Sequence, residues 1–274
     1  MLHRKEFISA SDGVQLFWQA WEPDRPARSV VCLLHGIGEH TGRYSHVADA
    51  LVAANIAMHA IDLRGHGQSE GPRGHTPSLE QWLDDIDLML ERAGTRQGRF
   101  LYGHSLGGSL AIIHILNRFP TLSGVIASGP AFRRSFDVPA IKVFLGKLMA
   151  NVWPTFSQHS GLDPRNVSRD PAVVKAYAED PLVHDWATAR LFIVATVLGE
   201  DALARAPDFH APLLLLQASE DRLVDVGASE AFFVNAGSTD KTLRLYEDFY
   251  HEVHNEPQKD SVIEEIVQWV LNRS

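Results

Sequence analysis

The chain has 274 residues, and its 45% hydrophobic content is enough for a substantial core in one large domain or two modest ones. Its 34 Asp and Glu residues outnumber 25 Lys and Arg, which gives a formal net charge of −9. Because the sequence also has no run of basic residues, this charge argues against a nucleic-acid partner.

The opening residues, MLHRKEFISASDG, are charged and lack the apolar stretch of a signal peptide. No segment approaches the roughly 18 uninterrupted apolar residues of a membrane-spanning helix. The single cysteine, Cys32, lies in an apolar run, where it is expected to be a small core residue. These features predict a cytoplasmic protein.

Short apolar runs that indicate strands alternate with longer stretches of helical periodicity. A hairpin turning at Ser11-Asp12-Gly13 opens the chain. The predicted central strands are SVVCLLH, AMHAIDL, RFLYGH, SGVIASG, PLLLLQAS and KTLRLYED. The predicted helices are YSHVADALVAAN, SLEQWLDDIDLMLERAG, LGGSLAIIHILNRF, VGASEAFFVNAG and DSVIEEIVQWVLNR. This alternation predicts an α/β fold whose sheet is mostly parallel and carries helices on both faces.

Two of these helices have recognisable end signals. Ser78 and Gln81 form a capping-box pattern at the start of the second helix, and Gly94 marks its end. Pro120 is expected to end the third helix.

Residues 132–208 interrupt the alternation with several helical stretches, proline interruptions and no evident strand. Structureless connections longer than about 15 residues are uncommon in compact domains, so we predict an inserted helical cap over the carboxyl edge of the sheet. The core would then comprise residues 1–131 and 209–274.

Within the cap, VPAIKVFLGKLMANVWPTF contains an apolar helical face, which in most proteins packs on the domain beneath. The members of that face are Ile141, Leu145, Leu148 and Val152.

A candidate nucleophile lies where the strand RFLYGH meets a predicted helix. The run Gly103-His104-Ser105-Leu106-Gly107 has the spacing G-x-S-x-G, which on a strand-turn-helix is typical of a nucleophile elbow. Such a turn presents the Ser105 hydroxyl at the edge of the sheet, and the glycines allow its close backbone packing.

A serine hydroxyl needs a base, and the base needs an orienting group. Asp221 follows the strand PLLLLQAS and His251 follows KTLRLYED, which gives the order Ser, Asp, His of α/β-hydrolases. Asp225 and His254 are alternatives, because each lies within one turn of chain of the preferred residue. Asp221 and His251 are preferred because they are nearer the ends of their strands.

Backbone N–H groups are expected to stabilise the oxyanion of an acyl-transfer intermediate. The N–H of Leu106 is one candidate, because it follows the serine. The second is Ile37, in the loop His35-Gly36-Ile37-Gly38 after the strand SVVCLL. A simple glycine turn is the alternative interpretation of this segment, which we call the HGIG loop (residues 35–38).

The chain resembles the serine hydrolases that include monoglyceride lipase and bacterial lysophospholipase-like proteins. The matching blocks follow the family's order along nearly the whole chain, and HGxGEHxxRY is the most specific of them. They are HGIGEHTGRY (35–44), DLRGHGQSEGPRG (62–74), GHSLGG (103–108), YAEDPL (177–182), ASEDRLVD (218–225) and YHEVHNE (250–256).

This resemblance implies an α/β-hydrolase fold and a pocket for the glycerol end of a lipid ester. The residues it implies for that pocket are Glu39, Arg43, His104 and Tyr177. Glu39 and Arg43 could equally form an ion pair that braces their loop. The family usually has Ala at position 37 and often Met at 106, where this chain has Ile and Leu, so the pocket walls are expected to be tighter.

Together these features predict a carboxylic-ester hydrolase that cleaves monoacylglycerols or similar single-chain esters through an acyl-enzyme. Lysophospholipids, thioesters and small esters are alternative substrates, and a non-catalytic ligand-binding protein is an alternative from another class. With no H-E-x-x-H motif and no Cys/His cluster in the sequence, we predict neither a metal nor a cofactor. The resemblance also implies that the cap forms an apolar entrance for the fatty chain. Part of the apolar face is a candidate for that role or for a transient contact with a lipid surface. The oligomeric state is left open.

Overall fold

The central element of the molecule is an eight-stranded sheet with strand order β1-β2-β4-β3-β5-β6-β9-β10. The computed structural model describes residues 1–94, 98–136 and 140–274. Its strands are β1 (Leu2–Ser9), β2 (Gln15–Glu22), β3 (Ser29–Leu34), β4 (Ile56–Ile61), β5 (Arg99–His104), β6 (Gly124–Ser128), β7 (Ser157–His159), β8 (Trp186–Thr188), β9 (Leu213–Ala218) and β10 (Lys241–Tyr246). Only β1 with β2 and β2 with β4 pair antiparallel in this sheet, and the remaining neighbours are parallel.

Helices cover both faces of the sheet, as the alternating pattern predicts. They are α1 (Ser45–Ala53), α2 (Leu79–Ala93), α3 (Leu106–Arg118), α4 (Ala140–Val152), α5 (Pro171–Glu179), α6 (Ala189–Ala204), α7 (Val226–Asn235) and α8 (Lys259–Leu271). One face of the sheet packs on α2, α3, α6 and α7, and the other packs on α1 and α8.

Strand β3 shows why its sequence is apolar throughout. Val30 and Cys32 enter the core on the α2 and α3 face, whereas Val31 and Leu33 enter the core on the α1 and α8 face. A strand covered on both faces must be apolar at successive positions, not only at alternate ones. Burial raises the pKa of the Cys32 thiol to about 12, so this residue is an unreactive part of the core.

The helix ends agree with their sequence signals, with one difference. The Ser78 hydroxyl accepts the Gln81 N–H at 3.3 Å, and Gly94 at the end of α2 has φ of +77°. The Gln81 side chain, however, donates to Asp12 and does not complete a reciprocal capping box. Helix α3 ends at Arg118, just before Pro120.

Residues 132–208 leave the sheet between β6 and β9, which pair directly with each other. The prediction of no strand in this segment is wrong, because β7 and β8 form an antiparallel pair. Each has only three residues, and most of them are not buried, so no apolar run marks them in the sequence. Treating the segment as a separate cap stays a prediction, since α6 also packs against α3 and α7 of the core.

The apolar face of α4 points largely to solvent. Its members are Ile141 (62% exposed), Leu145 (49%), Leu148 (50%) and Val152 (73%). Phe144 on the same helix and Trp153 just after it are also more than half exposed. The expectation that this face packs on the domain beneath is therefore wrong for these residues. The preceding Val138 and Pro139 of the same stretch lie outside the described residues.

None of the helices within the described ranges combines the length and apolar character that crossing a bilayer requires.

Two helix-interior glycines of the cap provide a matched test of its packing. A methyl group on Gly199 of α6 would lie 2.1 Å from the Phe132 carbonyl oxygen, whereas one on Gly146 of α4 would meet the Phe192 ring at 3.5 Å. We expect Gly146→Ala to raise the free energy of unfolding by about 0.5–1 kcal/mol. Gly199→Ala should lower it by about 1–3 kcal/mol, because the backbone must move apart. Urea denaturation of both variants measures this, and equal gains would contradict the packing.

Candidate active site

Ser105 occupies a sharp turn between β5 and α3. Its φ of +53° and ψ of −117° lie outside the regions that non-glycine residues usually adopt. A Cβ on Gly103 would lie 2.1 Å from the Gly107 carbonyl oxygen, and one on Gly107 would lie 2.2 Å from the Leu34 carbonyl oxygen. The strand and helix can therefore approach this closely only with glycine at both positions, which explains the G-x-S-x-G spacing.

Hydrogen bonds fix the backbone of the serine on both sides. The Ser105 N–H donates to the Ser128 carbonyl at 2.9 Å, and the Ser105 carbonyl accepts the Ala131 N–H at 3.0 Å. The side chain faces the HGIG loop, since a Cβ on Gly36 would lie 3.2 Å from the Ser105 Cβ. Ser105 keeps 7% of its surface exposed, so a small reacting group can approach it.

Asp221 and His251 are joined by a hydrogen bond of 2.7 Å between Asp221 Oδ2 and His251 Nδ1. The other carboxylate oxygen accepts the N–H groups of Leu223 and Val224 at 2.9 and 3.0 Å, which fixes the orientation of the carboxylate. Because β9 and β10 are parallel neighbours, the loops that follow them meet at one edge of the sheet.

The alternatives to these two residues have other surroundings. Asp225 caps α7 by accepting the Gly227 N–H at 3.0 Å and also contacts Arg133. The ring nitrogens of His254 are buried and have no hydrogen-bond partner among the described residues. The structure thus brings Asp221 together with His251 and leaves Asp225 and His254 outside that pair.

Three neighbouring imidazoles differ in their affinity for a proton. His104 lies 4.7 Å from His251 and 4.8 Å from His254, measured between ring centroids. Burial lowers the pKa of His104 to about 4 and holds the pKa of His254 well below its ordinary value. Burial also opposes protonation of His251, but the negative charge of Asp221 outweighs it and raises the His251 pKa. His251 is therefore the strongest base of the three.

The serine and His251 are both held close to residues 128–131. A Cβ on Gly129 would lie 3.3 Å from the His251 ring, and Ser128 accepts the Ser105 N–H. Hydrogen bonds among the described residues do not include one between the Ser105 hydroxyl and the imidazole. Contacts of this kind are often long in enzymes without substrate and shorten in the complex.

Two backbone N–H groups beside Ser105 are available to an anion. Neither the Ile37 nor the Leu106 N–H donates to a protein acceptor in the part of the chain that the structure describes. Leu106 is the first residue of α3, where the helix dipole also favours negative charge. Such a pair of donors could stabilise an oxyanion next to the serine.

Glu39 and Arg43 belong to a buried ionic network. Glu39 Oε2 accepts from Arg43 Nη1 at 2.5 Å, and the Arg43 guanidinium makes two further bonds of 2.7 Å to the carboxylate of Glu252. Glu39 Oε1 accepts the Gly36 N–H and the Tyr44 hydroxyl, each at 2.7 Å. This geometry favours the bracing ion pair over a direct contact with substrate.

The two other pocket candidates lie beside this network. Tyr177 of α5 packs its ring 4.6 Å from the Arg43 guanidinium carbon, which joins the cap to the network. His104 Nδ1 bonds to the Ser128 carbonyl at 3.1 Å. Sequence reasoning did not single out Glu252, although a carboxylate next to a candidate catalytic histidine was a visible signal. Its partner Arg43 is 209 positions away, so only the fold reveals the pairing.

One cluster among the described residues has the donors of a metal site, with ligand atoms of Glu39, His104 and Glu252 all within 4.8 Å of one another. The guanidinium of Arg43 already forms an ion pair with each of its two carboxylates. The two carboxylates of this cluster are thus already paired with a cation of the protein.

Comparisons with known proteins agree with the fold and the sequence blocks. A family model described as "Serine aminopeptidase, S33" matches residues 25–258. The monoacylglycerol lipase of Mycolicibacterium smegmatis is 34% identical over 95% of this chain and 94% of its own length. An uncharacterized abhydrolase domain-containing protein of Dictyostelium discoideum is 38% identical over 97% of this chain, which spans only 29% of that protein.

Among solved structures, the crystal structure of a monoacylglycerol lipase from Paleococcus ferrophilus has a TM-score of 0.89 and 36% identity. The alignment covers 94% of this chain and 99% of that one. The α/β-hydrolase fold and the resemblance to monoglyceride lipases are therefore confirmed. The chain is a serine hydrolase and belongs to the serine aminopeptidase S33 family of α/β-hydrolases.

Proposed function

We propose that the protein hydrolyses monoacylglycerols, or similar single-chain fatty acyl esters, through an acyl-enzyme intermediate. The observation that carries the proposal is the 2.7 Å bond between Asp221 and His251 beside the strained turn of Ser105. It is supported by relatives named monoacylglycerol lipase that match almost the whole chain.

In the first half of the proposed reaction, Ser105 Oγ attacks the ester carbonyl while His251 Nε2 takes the hydroxyl proton. Asp221 holds Nδ1 and stabilises the imidazolium that forms. The N–H groups of Ile37 and Leu106 donate to the developing oxyanion. The carbon–oxygen bond to the alcohol then breaks, and the imidazolium returns its proton to the leaving alcohol.

In the second half, water replaces the serine as nucleophile. His251 takes a proton from water, the resulting oxyanion uses the same two donors, and collapse releases the fatty acid and restores the Ser105 hydroxyl. No step of this reaction requires a metal or an organic cofactor.

The glycerol end of the substrate is proposed to lie against Tyr177 and His104. The His104 ring lies 4.7 Å from the His251 ring, and the Tyr177 ring packs on the Arg43 guanidinium. Glu39 and Arg43 would then act by bracing the loop and not by holding the alcohol.

The exposed apolar face of α4 is proposed to touch lipid surfaces while the enzyme takes up substrate. Four large apolar side chains stand on it, each about half exposed or more. Contiguous apolar surface of this kind commonly marks a site of interaction with a membrane or another apolar partner.

Replacing the nucleophile tests the reaction class. Ser105→Ala should lower ester turnover by roughly 10³-fold or more and abolish labelling by a fluorophosphonate probe. Ser109→Ala is the matched control, because it removes a buried hydroxyl without a partner one turn along α3. Parental turnover by Ser105→Ala would contradict the role of the serine.

A panel of monoacylglycerols, lysophospholipids, thioesters and p-nitrophenyl esters ranks the substrates, and a parent inactive on all of them would favour a binding protein.

Replacing the acid tests the electrostatics of the base. Asp221 raises the His251 pKa against the effect of burial. Asp221→Asn should therefore shift the acidic limb of the pH profile of kcat/KM to lower pH. Turnover should also fall by about 10³–10⁴-fold, since the imidazole loses its orienting partner. Asp225→Asn disturbs only the N-terminal hydrogen bond of α7 and a surface contact with Arg133, so it should leave the acidic limb of the pH profile unchanged. The reverse result would assign the acid to Asp225.

Removing the apolar face of α4 tests the membrane contact. The variant Ile141→Ser, Leu145→Ser, Leu148→Ser, Val152→Ser should lose co-flotation with phosphatidylcholine vesicles and turnover of long-chain monoacylglycerols, but keep hydrolysis of p-nitrophenyl butyrate. The control, Phe119→Ser with Val234→Ser, removes exposed apolar side chains of α7 and of the end of α3. Unchanged flotation and long-chain turnover in the four-site variant would refute the contact.

A further inference from the structure

Within the HGIG loop, the His35 ring bonds through Nδ1 to the Gly36 carbonyl at 2.7 Å, and its Nε2 accepts the Leu63 N–H at 2.9 Å. The loop begins directly after β3, belongs to no helix or strand, and contains two glycines, of which Gly38 has φ of +76°. A peptide unit flanked by glycines can rotate at low steric cost. Because the proposed reaction needs the Ile37 N–H turned toward Ser105, another group must fix the orientation of this loop.

The Glu39 carboxylate lies on the inner side of the turn. Its Oε1 accepts the Gly36 N–H at 2.7 Å, and a Cβ on Gly36 would come within 2.9 Å of the same oxygen. With the Gly36 N–H turned to Glu39, the next N–H along the chain, that of Ile37, has no acceptor among the described residues. The Glu39 bond to the Gly36 N–H and the His35 bond to the Gly36 carbonyl thus hold the peptides on both sides of Gly36.

The carboxylate is itself held by Arg43, four residues further along, which links it to the loop of Glu252. Arg43 bonds to its second oxygen and continues to Glu252, which directly follows His251. Glu39 and Glu252 are each 2% exposed, so this is a desolvated pair of carboxylates around one guanidinium. Charge-assisted bonds in such surroundings are stronger and more directional than bonds between neutral groups.

The cap holds the other end of the loop. The His184 N–H donates to the Gly38 carbonyl at 2.8 Å. A Cβ on Gly38 would lie 2.3 Å from the His184 carbonyl oxygen, which shows how closely the two backbones approach. The loop is thus fixed from the core side by Glu39 and from the cap side by His184.

We propose that Glu39 is a positioning residue. It orients the peptides around Gly36 so that the Ile37 N–H faces Ser105 before substrate arrives, and the Arg43 bridge to Glu252 ties this orientation to the loop of His251. The inference rests on the proposed function, and it differs from a contact between Glu39 and the glycerol group.

Glu39→Gln tests the proposal, because the amide offers one acceptor oxygen where the carboxylate offers two, so the bonds to Gly36 and Arg43 cannot both remain. The substrate for this test is p-nitrophenyl butyrate, which has no glycerol group. Its kcat should fall about 10- to 100-fold, somewhat less than when an oxyanion donor is removed outright, while its KM should change less than about threefold. The inhibition constant of an alkyl trifluoromethyl ketone, which forms an oxyanion on the serine, should rise in parallel with the loss in kcat.

The matched control is Asp85→Asn. Asp85 and Arg64 form a similarly buried pair with two bonds of 2.7 Å, but this pair makes no bond to the HGIG loop. Its loss should lower the melting temperature and leave kcat and the ketone affinity within about threefold of the parent. If Glu39→Gln does not fold, Glu252→Gln is the second variant, because it weakens the hold on Arg43 and leaves Glu39 in place. It should show a smaller loss of kcat, again with little change in KM.

Each outcome has a defined meaning. Unchanged kcat and ketone affinity in Glu39→Gln would overturn the proposal, as would a defect confined to KM for monoacylglycerols, which would indicate a contact with the alcohol. Equal losses in Asp85→Asn would also overturn it, because general destabilisation would explain both. A parent that hydrolyses no ester would instead refute the proposed function.

Discussion

The close approach of β5, α3 and the end of β3 is the constraint on which the site depends. At Gly103 and Gly107 backbone atoms come so near one another that no side chain fits, and Ser105 between them takes a backbone conformation that few residues adopt. The sheet and helix fix this geometry through their buried core, so the strain at one residue is maintained by packing around it. The hydroxyl is thereby presented at the sheet edge where the other polar groups converge.

Burial and charge act against each other throughout this edge, and the balance decides which groups titrate. Among the described residues, no carboxylate bonds to the ring of His104 or His254, and burial lowers the pKa of both. His251 is equally buried, but its bond to Asp221 reverses the direction of the shift. Arg43 is retained as a cation in the same region because two buried carboxylates surround it. A low-dielectric site can therefore hold one strong base beside inert imidazoles.

The segment of residues 132–208 contacts the loop after β3 through backbone and side-chain hydrogen bonds. His184 bonds to the Gly38 carbonyl, and Asp180 bonds to His40 at 3.0 Å. Both residues lie shortly after Tyr177, which packs on Arg43. Helix α4 differs from this part of the segment, because several of its apolar side chains face solvent. One part of residues 132–208 thus contacts the loop after β3, while α4 exposes an apolar surface to solvent.

The sequence by itself determined the alternation of strands and helices, the elbow at Ser105 and the order of the candidate residues, because these depend on periodicity and on short-range backbone geometry. It did not determine which of Asp221 and Asp225 meets His251, since both lie in one loop. The tertiary structure bonds Asp221 to His251 and directs Asp225 to the Gly227 N–H and Arg133. Nor did the sequence reveal the strands β7 and β8, which are too short and exposed to leave a pattern. The pairing of Arg43 with Glu252 joins residues 209 positions apart, and such contacts exist only once the sheet has brought the strand ends together.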